Sequence, residues 1–414
     1  MEYEVLAGKK VVLGVSGSIA AYKAVAVASA LTQAGATVDV VMTREATELI
    51  RPLSFQAITH RPVHADMFSL LAETEIGHVT LGHHADVVLV APATANTLAK
   101  LALGLADDML ATTVLASTAP LVIAPAMDAD MYDNPAVQQN VRTLRERGAT
   151  IVEPGHGRMA SGLVGQGRLT EPPEIVDTLR IVLGRSGDLA GWRVVVTAGG
   201  TQEAIDPVRF VSNHSSGKMG YAIAAAARDR GADVALITAP SALPLPLGIE
   251  ARRVTSAADM HAAVVNAIRD ADLLIMAAAV ADYRPARIAD QKIKKSDAEL
   301  VLRLEPTVDI LAATAEQASE RLVRVGFAAE SEDLVANARA KLDRKRLDLI
   351  VGNDVTAPGS GFGSDTNAVV MLDRFGGRRD LPALPKPVVA HELLNEVLRI
   401  RRARDQAAPV GGAR

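Results

Sequence analysis

Short runs that are apolar throughout alternate with helical patterns along the first part of the chain. KVVLGV leads into a helical stretch over 18–33, then come TVDVVM, DVVLVAPA with a helical stretch over 94–103, and PLVIAPA. A strand without a polar face has no side to turn to water, so it must lie in a sheet covered on both faces. Such strands alternating with helices require crossover connections and a parallel sheet. The alternation ends with a helix-like stretch over 173–183 and the polar, glycine-containing GRSGDLAG, and then restarts. WRVVVTAGG reads as a strand entering a glycine turn, GKMGYAIAAAARDRG as a helix closed by Gly231, ADVALITAP as a strand, and DADLLIMAAAVADY as a strand running into a loop. RLVRVGFAAE, a helix over 332–346, LDLIVGNDV, NAVVML and a last amphipathic helix over 387–401 complete the second pattern. The expected class is α/β, with two doubly wound, Rossmann-like parallel-sheet domains over 1–185 and 192–404, a linker over 186–191 and a disordered tail over 405–414.

Composition narrows the chemistry. The 414 residues include no cysteine, which excludes disulfides, thiolate metal sites and a cysteine nucleophile. A net charge of -4 and an aromatic content of 3% offer neither a basic footprint nor stacking platforms, so no nucleic-acid partner is expected. No apolar run approaches the roughly 20 residues that span a bilayer, and MEYEVLAGKK lacks the regions of a secretory signal. No membrane association and a cytoplasmic location are expected.

Several segments carry candidate chemistry. GVSGSIAAYKA places a Gly/Ser turn between a strand and a helix, which suits either a phosphate or the geometry of a tight turn. APATANT lies at the carboxyl end of a strand, where open α/β sheets bind ligands; its threonines read equally as helix caps. His83 and His84 read as structural or solvated residues, and their spacing from His78 matches no metal motif. HGRMASGLVGQGRL shows no helical or strand period and reads as a surface connector or as a segment that approaches a ligand. KIKK is a cation source or a solvated face. SSGKMG lacks the spaced first glycine and the Lys-Ser/Thr pair of a P-loop.

Taken in order, GVSGSIAAYKA, MTREA, GHVTLGHHADVVLVAPATANTLAKLALGLADDML and PAMDADMY resemble the flavin mononucleotide (FMN)-dependent cysteine decarboxylases, a flavodoxin-like family. VVVTAGGTQEAIDPVRFVSNHSSGKMGYAIA, MAAAVADYRPA, KIKK, VGFAAE and DLIVGNDV resemble phosphopantothenate–cysteine ligase domains. Fused in this order, the halves resemble the bacterial bifunctional enzymes of coenzyme A biosynthesis over nearly the whole chain. The resemblance implies ligation of 4'-phosphopantothenate with L-cysteine through an acyl-cytidylate formed from cytidine triphosphate (CTP), followed by decarboxylation to 4'-phosphopantetheine.

For the first half, the resemblance implies that Ser16, Gly17, Ser18 and Thr43 hold the phosphate and ribityl chain of FMN, and that Thr94 and Asn96 line flavin and substrate. His78 matches the family's active-site histidine, and a base titrating near neutral pH suits deprotonation of a thiol. HGRMASGLVGQGRL matches the family's substrate flap, with Arg168 able to meet a phosphate or carboxylate. Two positions depart from the pattern. Asp128 stands where the family has an asparagine that holds the substrate carboxylate, and Ser161 where it has a cysteine that donates a proton to the ene-thiol. A serine hydroxyl is a far weaker acid than a thiol.

For the second half, the resemblance implies that Asn213 orients the acyl-cytidylate, that Ser215, Ser216 and Gly217 meet phosphate oxygens, and that Lys292 stabilises triphosphate charge. Asp282 is implied as a ligand of the nucleotide or of Mg2+ bound with CTP. Ala277, Ala278, Asp309, Ile310, Phe327, Lys341 and Lys345 match nucleotide contacts, and Thr307 and Val308 fall in EPTVDIL, where members commonly have NPDIL. Family flavoproteins assemble as trimers and ligase domains as dimers, which implies a homo-oligomer, up to a dodecamer. Two other readings follow from the departures: an active ligase with an altered or silent flavoprotein half, or a first half that serves mainly to oligomerise the second.

Overall fold

The computed structural model describes residues 4–67, 77–295, 299–330, 332–354 and 363–407. The chain divides into two compact units, Met1–Gly184 and Arg185–Arg414. In the first, six strands form one parallel sheet in the spatial order Val63–His64, Thr37–Met42, Lys10–Val15, Val87–Ala93, Leu121–Pro125, Thr150–Ile151. The chain builds outward from Lys10–Val15, then returns to start the other half at Val87–Ala93. The order therefore reverses between these two strands, and a crevice opens beyond their carboxyl ends.

Both faces of this sheet are covered, as its apolar strands require. Leu31, Phe55 and Leu179 lie in the core on one side, and Leu98, Leu110 and Val141 in the core on the other. Local signals fix the ends of the covering helices. Thr94 caps the start of Ala95–Leu103 by accepting from the Thr97 N–H, and Gly104, at φ 73°, ends it in the left-handed region.

The second unit repeats the design and extends it. Its eight strands run in the order Glu250–Arg253, Asp233–Thr238, Arg193–Ala198, Leu273–Met276, Val323–Glu330, Leu349–Asp354, Thr366–Asp373, Arg378–Pro385. The first six are parallel, with the reversal between Arg193–Ala198 and Leu273–Met276. The last two are antiparallel, a departure from a wholly parallel sheet. The link from Asp373 to Arg378 is too short for a crossover, so only an antiparallel return is open to it. Arg378–Pro385 (RRDLPALP) opens on three charged residues and contains two prolines, as an edge strand tolerates, and carries no β-branched or aromatic residue that would reveal it.

Other segments also differ from expectation. HGRMASGLVGQGRL forms an antiparallel hairpin of Gly155–Arg158 with Val164–Arg168. The segment expected as a linker packs into the second unit: Leu189 is fully buried and Asp188 pairs with Arg230 at 2.5 Å. The last helix, Lys386–Ala407, runs into the expected tail, and residues 408–414 lie outside the described residues.

Candidate functional sites

The crevice of the first unit is stitched by Ser16. Its buried hydroxyl donates to the Pro92 carbonyl at 2.8 Å and accepts from the Thr94 N–H at 3.0 Å, tying together the two strand ends that flank the reversal. Among the described residues, the N–H groups of Gly17 and Ile19 meet no acceptor, and the Ser18 hydroxyl accepts from the Ala20 N–H at 3.3 Å. They precede the helix Ala21–Gln33, whose positive end favours an anion. Gly17 lies against the next loop: a Cβ there would stand 2.4 Å from Glu45 Cβ. Thr43 is buried and caps the helix Arg44–Leu49. Thr94 acts as a cap, and Asn96 is exposed in the first turn behind it.

A cavity of about 450 Å³ lies along the same edge, between Ser18–Lys23 at the start of the helix Ala21–Gln33, the Ala126–Asp128 segment after the strand Leu121–Pro125, and the hairpin. Three cations, Lys23, Arg158 and Arg168, share it with one carboxylate, Asp128. That balance suits a ligand carrying a phosphate or a carboxylate. Lys23 is held in place by the Leu169 carbonyl at 3.1 Å and Glu171 at 2.6 Å. The hairpin is seated by close backbone contact. The Gly167 carbonyl accepts from the Met127 N–H at 3.0 Å, and a Cβ on Gly167 would stand 2.4 Å from the Met127 oxygen. The glycines of the hairpin thus belong to its seat as well as to its turn. At its tip, the Ser161 hydroxyl donates to the Asp128 carboxylate, so the two positions that depart from the family pattern touch. His78 is half-buried on the helix Gly77–His84 and does not line this cavity.

In the second unit the loops after Arg193–Ala198 and Leu273–Met276 meet at the reversal, where Gly200 bridges Ala279. Two buried threonines fasten them. Thr197 Oγ1 accepts from the Ala278 N–H at 3.1 Å and Thr201 Oγ1 from the Ala281 N–H at 2.9 Å. The loop 277–282, including Ala277 and Ala278, is thereby fixed by its backbone. A cavity of about 140 Å³ opens beside it, lined by Ala278, Asp282, Thr307, Val308, Asp309, Ile310, Phe327, Lys341 and Lys345 among others. Its size suits one part of a nucleotide rather than the whole, since pockets for larger ligands run to roughly 300 Å³ and above.

The cations of this cavity have defined partners. Lys345 pairs with Asp309 at 2.9 Å, and Lys341 donates to the Phe327 carbonyl at 3.1 Å. Burial opposes ionisation of Asp309, but the hydrogen bonds from Lys345 and the Ala312 N–H outweigh it and hold the carboxyl below its ordinary value. Thr307 donates to the Ala281 carbonyl at 2.6 Å, joining the far wall to the fastened loop. Asp282 is exposed at the rim. Among the described residues no cluster of three or more acidic or histidine side chains exists to hold a metal, and no helix is long and apolar enough to cross a membrane. A Mg2+ ion at Asp282 would therefore depend on water and phosphate oxygens, its common mode with nucleotides.

The residues expected to meet phosphate lie on the neighbouring loop. Asn213 is exposed and donates to the Ala279 carbonyl at 3.1 Å. Among the described residues the N–H groups of Ser215, Ser216 and Gly217 meet no acceptor, and they precede the helix Lys218–Asp229. Lys292 is exposed and does not line the cavity. Its neighbour is anchored by a pair that sequence reasoning missed. The Asp206 side chain, fully buried, accepts from the N–H groups of Val208 and Arg209, both at 2.8 Å, and of Ile293 at 3.1 Å. Arg209 bonds Asp206 at 2.6 Å and donates to the Ile293 carbonyl at 3.0 Å. The Arg209 guanidinium, aided by the three N–H groups, holds the Asp206 carboxyl far below the usual carboxylate range. The Asp-Pro turn signal in AIDPVRF marks the spot, but nothing in the sequence links it to Ile293.

Comparison with known proteins places the chain in a family. Residues 2–184 match the family described as Flavoprotein, and residues 189–400 the one described as DNA/pantothenate metabolism flavoprotein C-terminal domain. The chain is 49% identical over 395 residues to the coenzyme A biosynthesis bifunctional protein CoaBC of Bacillus subtilis (strain 168), covering 95% of this chain and 97% of that one. It is 44% identical over 396 residues to the protein of the same name from Escherichia coli (strain K12), covering 95% and 97%. With both halves matched in order and nearly end to end, the chain belongs to the family of bifunctional coenzyme A biosynthesis proteins.

Proposed function

We propose that this chain carries both activities of its family, ligating 4'-phosphopantothenate with L-cysteine at the expense of CTP and then decarboxylating the product with FMN. The observation that carries the ligase reading is the convergence of Asp282, Asp309, Phe327, Lys341 and Lys345 on one cavity beside a threonine-fastened loop at the sheet's reversal. CTP binds with its nucleoside end in this cavity and its phosphates toward Ser215, Ser216 and Gly217, with Mg2+ at Asp282. Lys292, on a strand of loop anchored through Ile293, neutralises charge as the carboxylate attacks the α-phosphate.

In the first unit the residues present fit a flavin phosphate: free N–H groups at Gly17 and Ile19 precede a helix, with Ser16 fixing the loop's position. Ser18, Thr43, Thr94 and Asn96 stand along the same edge for the rest of the cofactor. FMN when bound supplies the reversible two-electron oxidation that decarboxylation of a cysteine group requires. Lys23, Arg158 and Arg168 hold the anionic ends of the substrate in the cavity beneath the hairpin.

Purified protein should be yellow, release pyrophosphate from CTP only when phosphopantothenate is present, and release carbon dioxide from phosphopantothenoylcysteine. Absence of pyrophosphate would sink the ligase assignment, and a yellow protein that releases no carbon dioxide would leave the first half as an altered or silent flavoprotein or a scaffold. A cytoplasmic enzyme assembled as a homo-oligomer fits this role; the mass of the native particle in solution tests the assembly.

A further inference from the structure

Ser161 and Asp128 meet in the first cavity, hydroxyl to carboxylate. Asp128 Oδ2 accepts from Ser161, while Oδ1 accepts from the Asp130 N–H at 3.4 Å. Arg158 and Arg168 on the hairpin and Lys23 on the helix Ala21–Gln33 line the same cavity, with Glu171 engaged by Lys23 and Asp130 on the short helix that Asp128 caps. A hydroxyl is a poor acid alone, but one bonded to a carboxyl group can pass a proton on as it receives another.

We propose that Asp128 and Ser161 form a two-residue proton relay for the decarboxylation, with Asp128 the proton source and Ser161 the group that touches the substrate. The relay rests on the decarboxylase reading of this cavity. Substrate binding sets a second carboxylate in the same enclosure as Asp128, and two carboxylates at short range hold one proton between them. The substrate, already oxidised at the carbon bearing sulfur, loses its carboxylate as neutral carbon dioxide; the electron pair of the broken bond passes into an ene-thiolate, and the proton stays on Asp128. The ene-thiolate carbon next to nitrogen then takes the Ser161 hydroxyl proton while Ser161 Oγ takes the proton of Asp128. One C–H bond forms, the Asp128 O–H bond breaks, and Asp128 is left as a carboxylate. Bound FMN would supply, as hydride, the two electrons that convert the resulting thioaldehyde to the saturated thiol. Solvent returns the proton when the next substrate binds.

Two measurements on the FMN-loaded full chain test the relay. Calorimetric titration with phosphopantothenoylserine, an analogue without the thiol, in buffers of different ionisation enthalpy reads proton uptake without turnover. About one proton per site is expected for the unsubstituted chain and none for Asp128→Asn; equal uptake by both overturns the relay. Mass analysis of single-turnover products from phosphopantothenoylcysteine is the second. Ser161→Ala and Asp128→Asn should still release carbon dioxide yet reduce the ene-thiol on the order of a hundredfold more slowly, leaving a product lighter by a pair of hydrogens. Ser161→Cys added to Asp128→Asn should restore the saturated thiol, because a thiol carries its own acidic proton. A saturated product formed by Asp128→Asn at the unsubstituted rate would exclude the relay and leave the decarboxylase reading intact. Failure of the unsubstituted chain to release carbon dioxide would remove that reading and the relay with it.

Discussion

Two buried hydroxyls fasten the loop beside the proposed ligase site. Thr201 accepts from the Ala281 N–H and is wholly enclosed, so Thr201→Val removes the acceptor and leaves a buried donor unmet. That costs about 1–3 kcal/mol and loosens the loop 277–282. The expected kinetic result is a raised KM for CTP with a smaller change in kcat, read from pyrophosphate release; an unchanged KM would mean that the loop is held by other contacts. Asp206 offers a test in pH. Its folded carboxyl titrates below the ordinary range, so its stabilising contribution is complete above the unfolded value and is lost as pH falls through the depressed folded one. Urea midpoints should therefore fall less steeply between about pH 4 and pH 2 in Asp206→Asn than in the unsubstituted chain. Neither threonine nor the Asp206–Arg209 pair was legible as a site residue in the sequence. Their partners lie about 80 positions away, with Thr201 bonding across |i−j| of 80 and Asp206 across 87, and no local pattern encodes such a contact.

The hairpin over 155–168 shows what an element can hide. Its strands carry Gly, His, Arg and Gln rather than alternating apolar residues, so the period-two signal was absent and the segment read as a loop. The pairing becomes intelligible once Gly165 and Gly167 are seen against Ala129 and Met127, where a Cβ would stand at 2.7 and 2.4 Å. Gly167→Ala should shift this seat at a cost of about 1–3 kcal/mol and expose the hairpin to limited proteolysis. Digestion no faster than that of the unsubstituted chain would show that the seat tolerates the methyl group. By contrast, the parallel strands were readable because burial on both faces writes itself as unbroken apolar sequence, as in VVLVAPA with every residue buried. The edge strand Arg378–Pro385, with no buried residue and with prolines at two of its eight positions, leaves no such trace.

At the scale of the whole molecule, two doubly wound units each place their candidate site residues beyond the strand pair where the order reverses, and one repeated alternation in the sequence marks both units. The bifunctional reading requires that the two chemistries be separable by single substitutions. Lys292→Gln should abolish pyrophosphate release while the same protein still decarboxylates supplied phosphopantothenoylcysteine; joint loss of both would tie Lys292 to folding rather than to charge stabilisation. The most direct test of the account is mass analysis of what the full chain makes from 4'-phosphopantothenate, L-cysteine and CTP with FMN bound. The account requires pyrophosphate, carbon dioxide and 4'-phosphopantetheine together. Accumulation of phosphopantothenoylcysteine with no carbon dioxide would contradict it.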